Sequence, residues 1–403
     1  MEQNLRALQE GAVGPSVANV CTSVVTTEAA FLSLRDEWDE LLDQSEQSVF
    51  FLRWHWNYTW WRYLAPHDSH LFLITCRETD GRLIGLAPLY WHRHRVSGIT
   101  YLNEILFLGT GAVIKTSEYL DIIALRRYEN QVAQAVARFL RQQPGWDRLW
   151  LWGSRSESSM LWHFRDKLGA GTRLTSCDRS HYRTLHGDWQ STQASLGKSI
   201  RTNISYYTRR LFKTHECIFR SVDSLEEFGP AMEAFITLHQ ARWQSRGKPG
   251  SFMQSRFKDF LTNVMQESIR ENCLRFWVLE IDKKISAVLV GFLHEGILHY
   301  FQGGFDPTYA KDSIGTVMLG LCMRSCIEEK EVREFDFMGG ESSYKKHWTR
   351  ATREIIELEA FQPGFRSCFY NTVKRLKDVA APAYRELVPS RIRMAVRSTL
   401  GAE

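Results

Sequence analysis

Two short stretches carry the residue types that could do chemistry together. One is Lys311-Asp312-Ser313-Ile314-Gly315-Thr316, inside QGGFDPTYAKDSIGTVMLGLC at 302–322. It joins an apolar strand-like run to an apolar helix. A helix start offers unpaired N–H groups and about half a positive charge. Gly315 would let a phosphate approach the backbone closely, and Lys311 and Ser313 add a cation and a hydroxyl. A plain strand-to-helix turn would use Gly and Ser equally. The other stretch is GGESSYKKHW at 339–348, after the strand-like EFDFMG. Asp336 and Glu341 are candidate bases, Tyr344 a candidate acid and Lys345 a candidate partner for an anion or oxyanion. The alternative is a structural turn with Tyr344 and Trp348 packed and the lysines solvated. The acid and base would then be sought at Asp306 and His299.

Two further groups of residues could bind a substrate. Lys198, Arg201, Arg209, Arg210 and Lys213 surround an apolar stripe at Leu196, Ile200, Ile204 and Leu211. They could clamp an anion or form a solvated basic face. WHWNYTWWRY, 54–63, reads as core packing, and Trp54 is the member placed at an acceptor groove. Cys322 and Cys326 lie four apart on one helix face, with no His or Cys at ligand spacing, so no metal is expected. The sequence has no GxSxG elbow, no P-loop, no complete GxGxxG and no HExxH, so hydrolase, kinase and dehydrogenase chemistry have no support.

These residues need elements to hold them. Helical spacing runs over 31–42 and 50–64. HLFLITCRETDGRLIGLAPLYWHR is a hairpin around Thr79-Asp80-Gly81. ITYLNEILFLG, EYLDIIAL and DRLWLWG add strands, with a helix at 129–143 between the last two. The second half has helices at 192–214, 224–246 and 253–269. LRFWVLEIDKKISAVLVGFLHEGILHYFQGGF is a three-strand meander with turns at Asp282-Lys283 and Glu295-Gly296. The loop, its helix and EFDFMG follow. Each half thus runs helix, helix, antiparallel strands, helix, strand. The expected fold is α+β, with two similar domains in tandem. The expected divisions are an irregular lead at 1–24, domains at 25–185 and 186–363, and a basic helical tail at 364–403.

The 403 residues suffice for two cores, and the 44% apolar content is that of a globular protein. A net charge of +5 permits an acidic ligand without requiring nucleic acid. The eight cysteines are scattered with no CxxC, the usage of reduced cytosolic thiols. No secretory leader and no run of membrane-spanning length is evident, so the expected location is cytoplasmic. The basic tail adds a weak attraction to an inner membrane face.

The order of strand, polar loop, Gly-started helix and strand resembles the acyl-CoA-binding core of the GNAT acetyltransferase superfamily. FDPTYAKDSIGT followed by FDFMGGESSYKKHW is similar to the BioF2-like or CelD/BcsL group of acyltransferases, relatives of the FemAB peptidyltransferases. PLYWHR, FLGTG…SEYLD, KSIRTNISYYTRRL and LHQARW…G fit the same order, over roughly residues 30–350. The resemblance implies two GNAT-like domains, each a mostly antiparallel mixed sheet flanked by helices. It implies an acyl or acetyl group moved from acyl-CoA or acetyl-CoA, seated on Lys311, Ser313, Ile314, Gly315 and Thr316. The acceptor would be an amine or hydroxyl of a sugar, an envelope-polysaccharide precursor or a small metabolite, between the domains and near Trp54, Lys198, Arg201 and Arg209. The loop lacks the usual Arg or Gln before a Gly-x-Gly or Gly-x-Ala. Two alternatives therefore stay open: an aminoacyl-tRNA-dependent ligase, and a non-catalytic accessory protein that binds an envelope-synthesis partner.

Overall fold

The computed structural model describes residues 20–387 apart from 97, 99, 112–114, 246, 248 and 341; in the last helix it describes side chains up to Leu376 and at Val379. Fifteen strands are seen among the described residues. They are β1 (Val20–Val25), β2 (Ser69–Leu71), β3 (Leu73–Glu78), β4 (Leu83–Ala87), β5 (Leu89–Val96), β6 (Thr100–Phe107), β7 (Ile123–Ala124) and β8 (Arg148–Arg155). Then come β9 (Arg173–Thr184), β10 (Cys217–Ser221), β11 (Leu274–Ile281), β12 (Lys284–His294), β13 (Ile297–Phe305), β14 (Glu334–Gly339) and β15 (Thr352–Phe361). A four-stranded sheet has the order β1-β3-β4-β7. An eleven-stranded sheet has the order β10-β11-β12-β13-β14-β9-β15-β8-β6-β5-β2. The architecture is α+β: mixed, mostly antiparallel sheets with helices packed on them.

The meander β11-β12-β13 forms as its sequence expects. Its turns place Asp282, Lys283, Glu295 and Gly296 at positive φ, the geometry of tight hairpin turns. Its residues alternate between two cores. Phe276, Val278, Val288, Val290 and Phe292 join one cluster, while Trp277, Leu279, Ala287 and Leu289 join the other. That is the period-two pattern of a sheet covered on both faces.

Several sequence expectations are corrected. Val20–Val25 is not part of an irregular lead: it pairs with β3 over six residues, burying Val20, Thr22 and Val24. EYLDIIAL supplies a strand of two residues. The helix expected over 192–214 is two helices, Trp189–Ala194 and Lys198–Thr214, parted where Gly197 adopts an extended backbone. Trp54 is core, not groove. Its ring stacks on Tyr58 at 4.6 Å and its indole N–H donates to Phe31 O at 3.0 Å. The helix that carries it, Trp54–Leu64, knits the halves together. Trp56 meets Phe260 at 5.0 Å, Phe292 at 5.6 Å and Phe301 at 5.6 Å, while Phe50 stacks on Phe292 at 4.3 Å.

The halves also exchange backbone. β9 lies between β14 and β15, and β15 continues to β8. Pairing on both edges secures β9 although its sequence, RLTSCDRSHYRT, is polar.

Candidate active site

β13 and β14 run parallel and pair over three residues, Ile297–Glu334, Leu298–Phe335 and His299–Asp336. Beyond them the strands part. Phe301 bulges out of the β12–β13 ladder, and Asp336 Oδ1 accepts the N–H of Met338, which takes a positive φ. A bulge on one side and a tight turn on the other bend the two strands apart. The edge of β13 from Tyr300 to Phe305 is left facing the opening.

One cavity of about 290 Å³ occupies one side of the split. Gly303, Gly304 and Phe305 of β13 line it, with Ser313, Ile314, Gly315 and Thr316, and with Tyr344, His347 and Trp348 opposite. Asp306 starts this segment by accepting from the N–H and hydroxyl of Thr308. Ser313 then takes a left-handed conformation, and its carbonyl accepts from Thr316 and Val317, opening the helix Ile314–Glu328. The amides of Ile314 and Gly315 precede the first intrahelical bond and remain for a ligand. Gly315 has a second reason for being Gly: a Cβ there would stand 3.2 Å from the Phe305 ring. Lys311 is exposed and is not among the residues lining the cavity.

A second cavity, about 420 Å³, lies where the halves meet. It shares Arg242, Tyr300, Gly303 and Tyr344 with the first, so the two form one groove with its neck at these residues. Lys115 and Glu118 come from the first half, and Gln302, Met338, Gly339, Gly340 and Lys345 from the second.

Its wall, Met338-Gly339-Gly340, is held at each backbone polar group by an ionisable side chain. The three N–H groups donate to Asp336, Glu118 and Asp178 at 2.7, 2.6 and 3.2 Å. The three carbonyls accept from Lys345 Nζ at 2.8, 2.6 and 3.1 Å. Lys115 bridges Glu118 and Asp178 at 2.9 and 3.0 Å. The Gly-Gly pair has two causes. A Cβ on Gly339 would lie 2.7 Å from Glu118 Oε1, and Gly340 has φ near +92°.

The candidate catalytic residues therefore separate. Tyr344 lines both cavities. Lys345 lines the second, but its three protons are committed to carbonyls, which makes it a clamp rather than an anion partner. Burial pushes its ammonium below the usual range. Asp336 lies beneath the groove, fully buried and lining neither cavity. Burial raises its carboxyl to about 6, against the lowering pull of Arg353 and Tyr119. Its Oδ2 accepts from Tyr119 at 2.7 Å and from Arg353 at 3.1 Å. Its geometry is that of a positioning residue. Glu341 lies outside the described residues. His299 is buried below the split, 3.9 Å from Asp336, and Asp306 pairs with Lys284 at 3.3 Å. Lys198, Arg201 and Arg209 are exposed on the helix Lys198–Thr214, whose Ile200 lines the first cavity. Arg201 donates to Ala194 O at 3.0 Å.

Arg242 is a groove residue that sequence reasoning passed over. It projects from the helix Leu225–Gln244, donates to Gly303 O at 3.0 Å, and lies 5.2 Å from the Phe305 ring centroid. Among the described residues no carboxylate pairs with it, and its Nε is buried without a partner. Gln302 Oε1 is a buried acceptor without a donor among the described residues. The helix reaches β13 closely because a Cβ on Gly304 would come within 2.5 Å of His239 N. Among the described residues no cluster of three or more His, Cys, Asp or Glu could hold a metal ion.

Residues 198–346 match the family model described as the acetyltransferase (GNAT) domain. Among solved structures the chain is similar to FemX, at 10% identity and a TM-score of 0.56, over 88% of this chain and 98% of that one. It is also similar to the C-terminal domain of a putative lysylphosphatidylglycerol synthetase from Agrobacterium fabrum, at 11% identity and a TM-score of 0.50, over 87% and 97%. A third is a conserved protein of unknown function from Bacteroides thetaiotaomicron VPI-5482, at 8% identity and 0.53, over 84% and 100%. No curated protein matches the sequence. Residues 198–346 are thus similar to the GNAT acetyltransferase domain, and the chain shares its fold with FemX.

Proposed function

We propose that the protein is an acyltransferase that works in the split between β13 and β14. The observation that carries this reading is the meeting of two cavities at Tyr344 and Arg242. A donor occupies the first cavity, with its anionic end at the amides of Ile314 and Gly315. An arm bearing amides, such as the pantetheine of acyl-CoA, lies along the open edge of β13. An amine or hydroxyl of a sugar, envelope-polysaccharide precursor or small metabolite enters from the second cavity.

The roles follow from placement. The nucleophile attacks the acyl carbon at the neck, and its proton passes to Glu118, a carboxylate that lines the second cavity. Arg242, with no carboxylate to neutralise it among the described residues, stabilises the carbonyl oxygen as it becomes an oxyanion. The bond from the acyl carbon to the leaving thiolate breaks, and Tyr344 gives that sulfur a proton.

One observation favours a second reading. Lys198, Arg201, Arg209 and Lys213 are exposed on the helix that borders the donor cavity. Such a face suits a polyanion, as an aminoacyl-tRNA donor would require. Native mass spectrometry of freshly purified protein, before and after ribonuclease, separates the readings. Our reading expects an adduct of CoA or acyl-CoA mass that survives ribonuclease. An RNA adduct would transfer the site to the second reading. Failure to bind added CoA in calorimetry would overturn the first.

A further inference from the structure

The helix Phe365–Leu387 has its faces arranged unusually for a surface helix. Its inner face docks through polar groups. Ser367 Oγ donates to Asp147 O at 3.0 Å, Tyr370 lies under the Arg148 guanidinium at 4.9 Å, and Lys374 Nζ reaches both oxygens of Glu359 at 3.0 Å. At about 100° per residue, Phe365, Phe369, Thr372, Leu376 and Val379 fall on the opposite face. Phe365, Leu376 and Val379 are 78%, 65% and 79% exposed, and the Phe365 and Phe369 rings stack at 6.2 Å. A surface helix normally turns its apolar stripe inward. A row of large apolar side chains facing out marks an interaction surface.

The charge says what covers it. From Gly364 to the end of the sequence eight basic residues stand against three acidic ones, an excess of five. The whole chain carries +5, so residues 1–363 are neutral overall. All of the excess positive charge thus belongs to the segment with the outward apolar stripe. Described Arg375 is exposed beside that stripe; Lys377, Arg385, Arg391, Arg393 and Arg397 follow in the sequence, with their side chains outside the described ones.

We propose that the tail helix docks the protein on an anionic lipid surface. The apolar side chains enter the headgroup boundary and the cations meet acidic lipid headgroups. A nucleic acid would answer the charge but leave the stripe exposed. A second copy would cover the stripe but bring two like-charged tails together. Among the described residues no helix is long and apolar enough to cross a membrane, so the contact is peripheral.

The full-length protein is floated with phosphatidylcholine vesicles, and with the same vesicles containing about one third phosphatidylglycerol. Wild type should float with the anionic vesicles, sink with the neutral ones, and be released by high salt. Leu376→Gln with Val379→Gln should lower partitioning roughly tenfold, because both side chains lose apolar area to bury. Both are exposed, so melting temperature should hold, which separates lost binding from lost folding. Wild type that stays at the bottom with anionic vesicles at low salt overturns the proposal. So does flotation unaffected by the double substitution. A dimer in sedimentation that the double substitution dissolves would assign the stripe to a second copy and likewise overturn it. Each result is independent of the reaction in the groove.

Discussion

Replacing Lys345 by Met removes the ammonium and keeps an apolar stem of similar length. Lys345 Nζ donates to three carbonyls in a row, at Met338, Gly339 and Gly340. Hydrogen bonds to charged groups contribute about 1.5–3 kcal/mol each, and three would sum to several. Two terms offset that sum. Burial already costs the ammonium, which is why its pKa lies below the usual range. The freed carbonyls can also turn partly to water, since Gly339 and Gly340 are half-buried. A net loss of roughly 2–4 kcal/mol remains. At about 2.1 cal/mol/K per residue, the unfolding entropy of a chain this long puts the fall in melting temperature at roughly 2–5 °C. The assay is thermal unfolding by circular dichroism, with hydrogen exchange at Gly339 and Gly340. Their N–H groups rest on Glu118 and Asp178 and should exchange faster once the carbonyl side is loose. Turnover should fall as well, because this loop walls the second cavity. An unchanged melting temperature with unchanged exchange would refute the clamp. If only the acceptor KM then rose, Lys345 would be an anion partner after all.

Arg242→Gln should lower kcat by about 10²–10³ with melting temperature held, read by thioester turnover once an acceptor is in hand. Tyr344→Phe keeps the ring and should cost about 10²–10⁴ in rate, without loss of CoA binding in calorimetry. Gly304→Ala should fail to fold or melt far lower, since its Cβ would overlap the backbone of His239; wild-type melting would show that helix and strand can separate there. Asp121 is buried, and burial raises its carboxyl from 3.8 to about 7. Its folded value thus exceeds its unfolded one, and the stability from its protonation is full below about 4 and lost as pH rises through 7. Asp121→Asn should flatten the fall of melting temperature between pH 4 and 8, and an unaltered slope would contradict that origin.

What was legible in the sequence was local. The meander, the loop with its helix and EFDFMG announce themselves by alternation, by turn dipeptides and by a Gly-started apolar face. β9 was not legible. RLTSCDRSHYRT has no apolar period, and it becomes a strand because β14 and β15 pair with its two edges. The site divides in the same way. Ser313–Thr316 and Tyr344 could be placed from neighbouring residues, since a helix start and a short motif position them. Lys115, Glu118, Asp178 and Arg242 could not. Lys115, Glu118 and Arg242 line the groove from other elements and Asp178 holds its wall, and nothing in their local sequence distinguishes such a position from a solvated charge. LHQARW held the clue, a lone Arg on a face otherwise bound for the core. Lys345 and Asp336 drew attention as charges near a strand end, and both serve the loop that they border.

The most direct test is a crystal structure of the protein with CoA. The pyrophosphate should lie within hydrogen-bonding distance of the Ile314 and Gly315 amides, the pantetheine along the open edge of β13, and the thiol at the neck between Tyr344 and Arg242. CoA bound at another surface, with the split between β13 and β14 empty, would contradict the account.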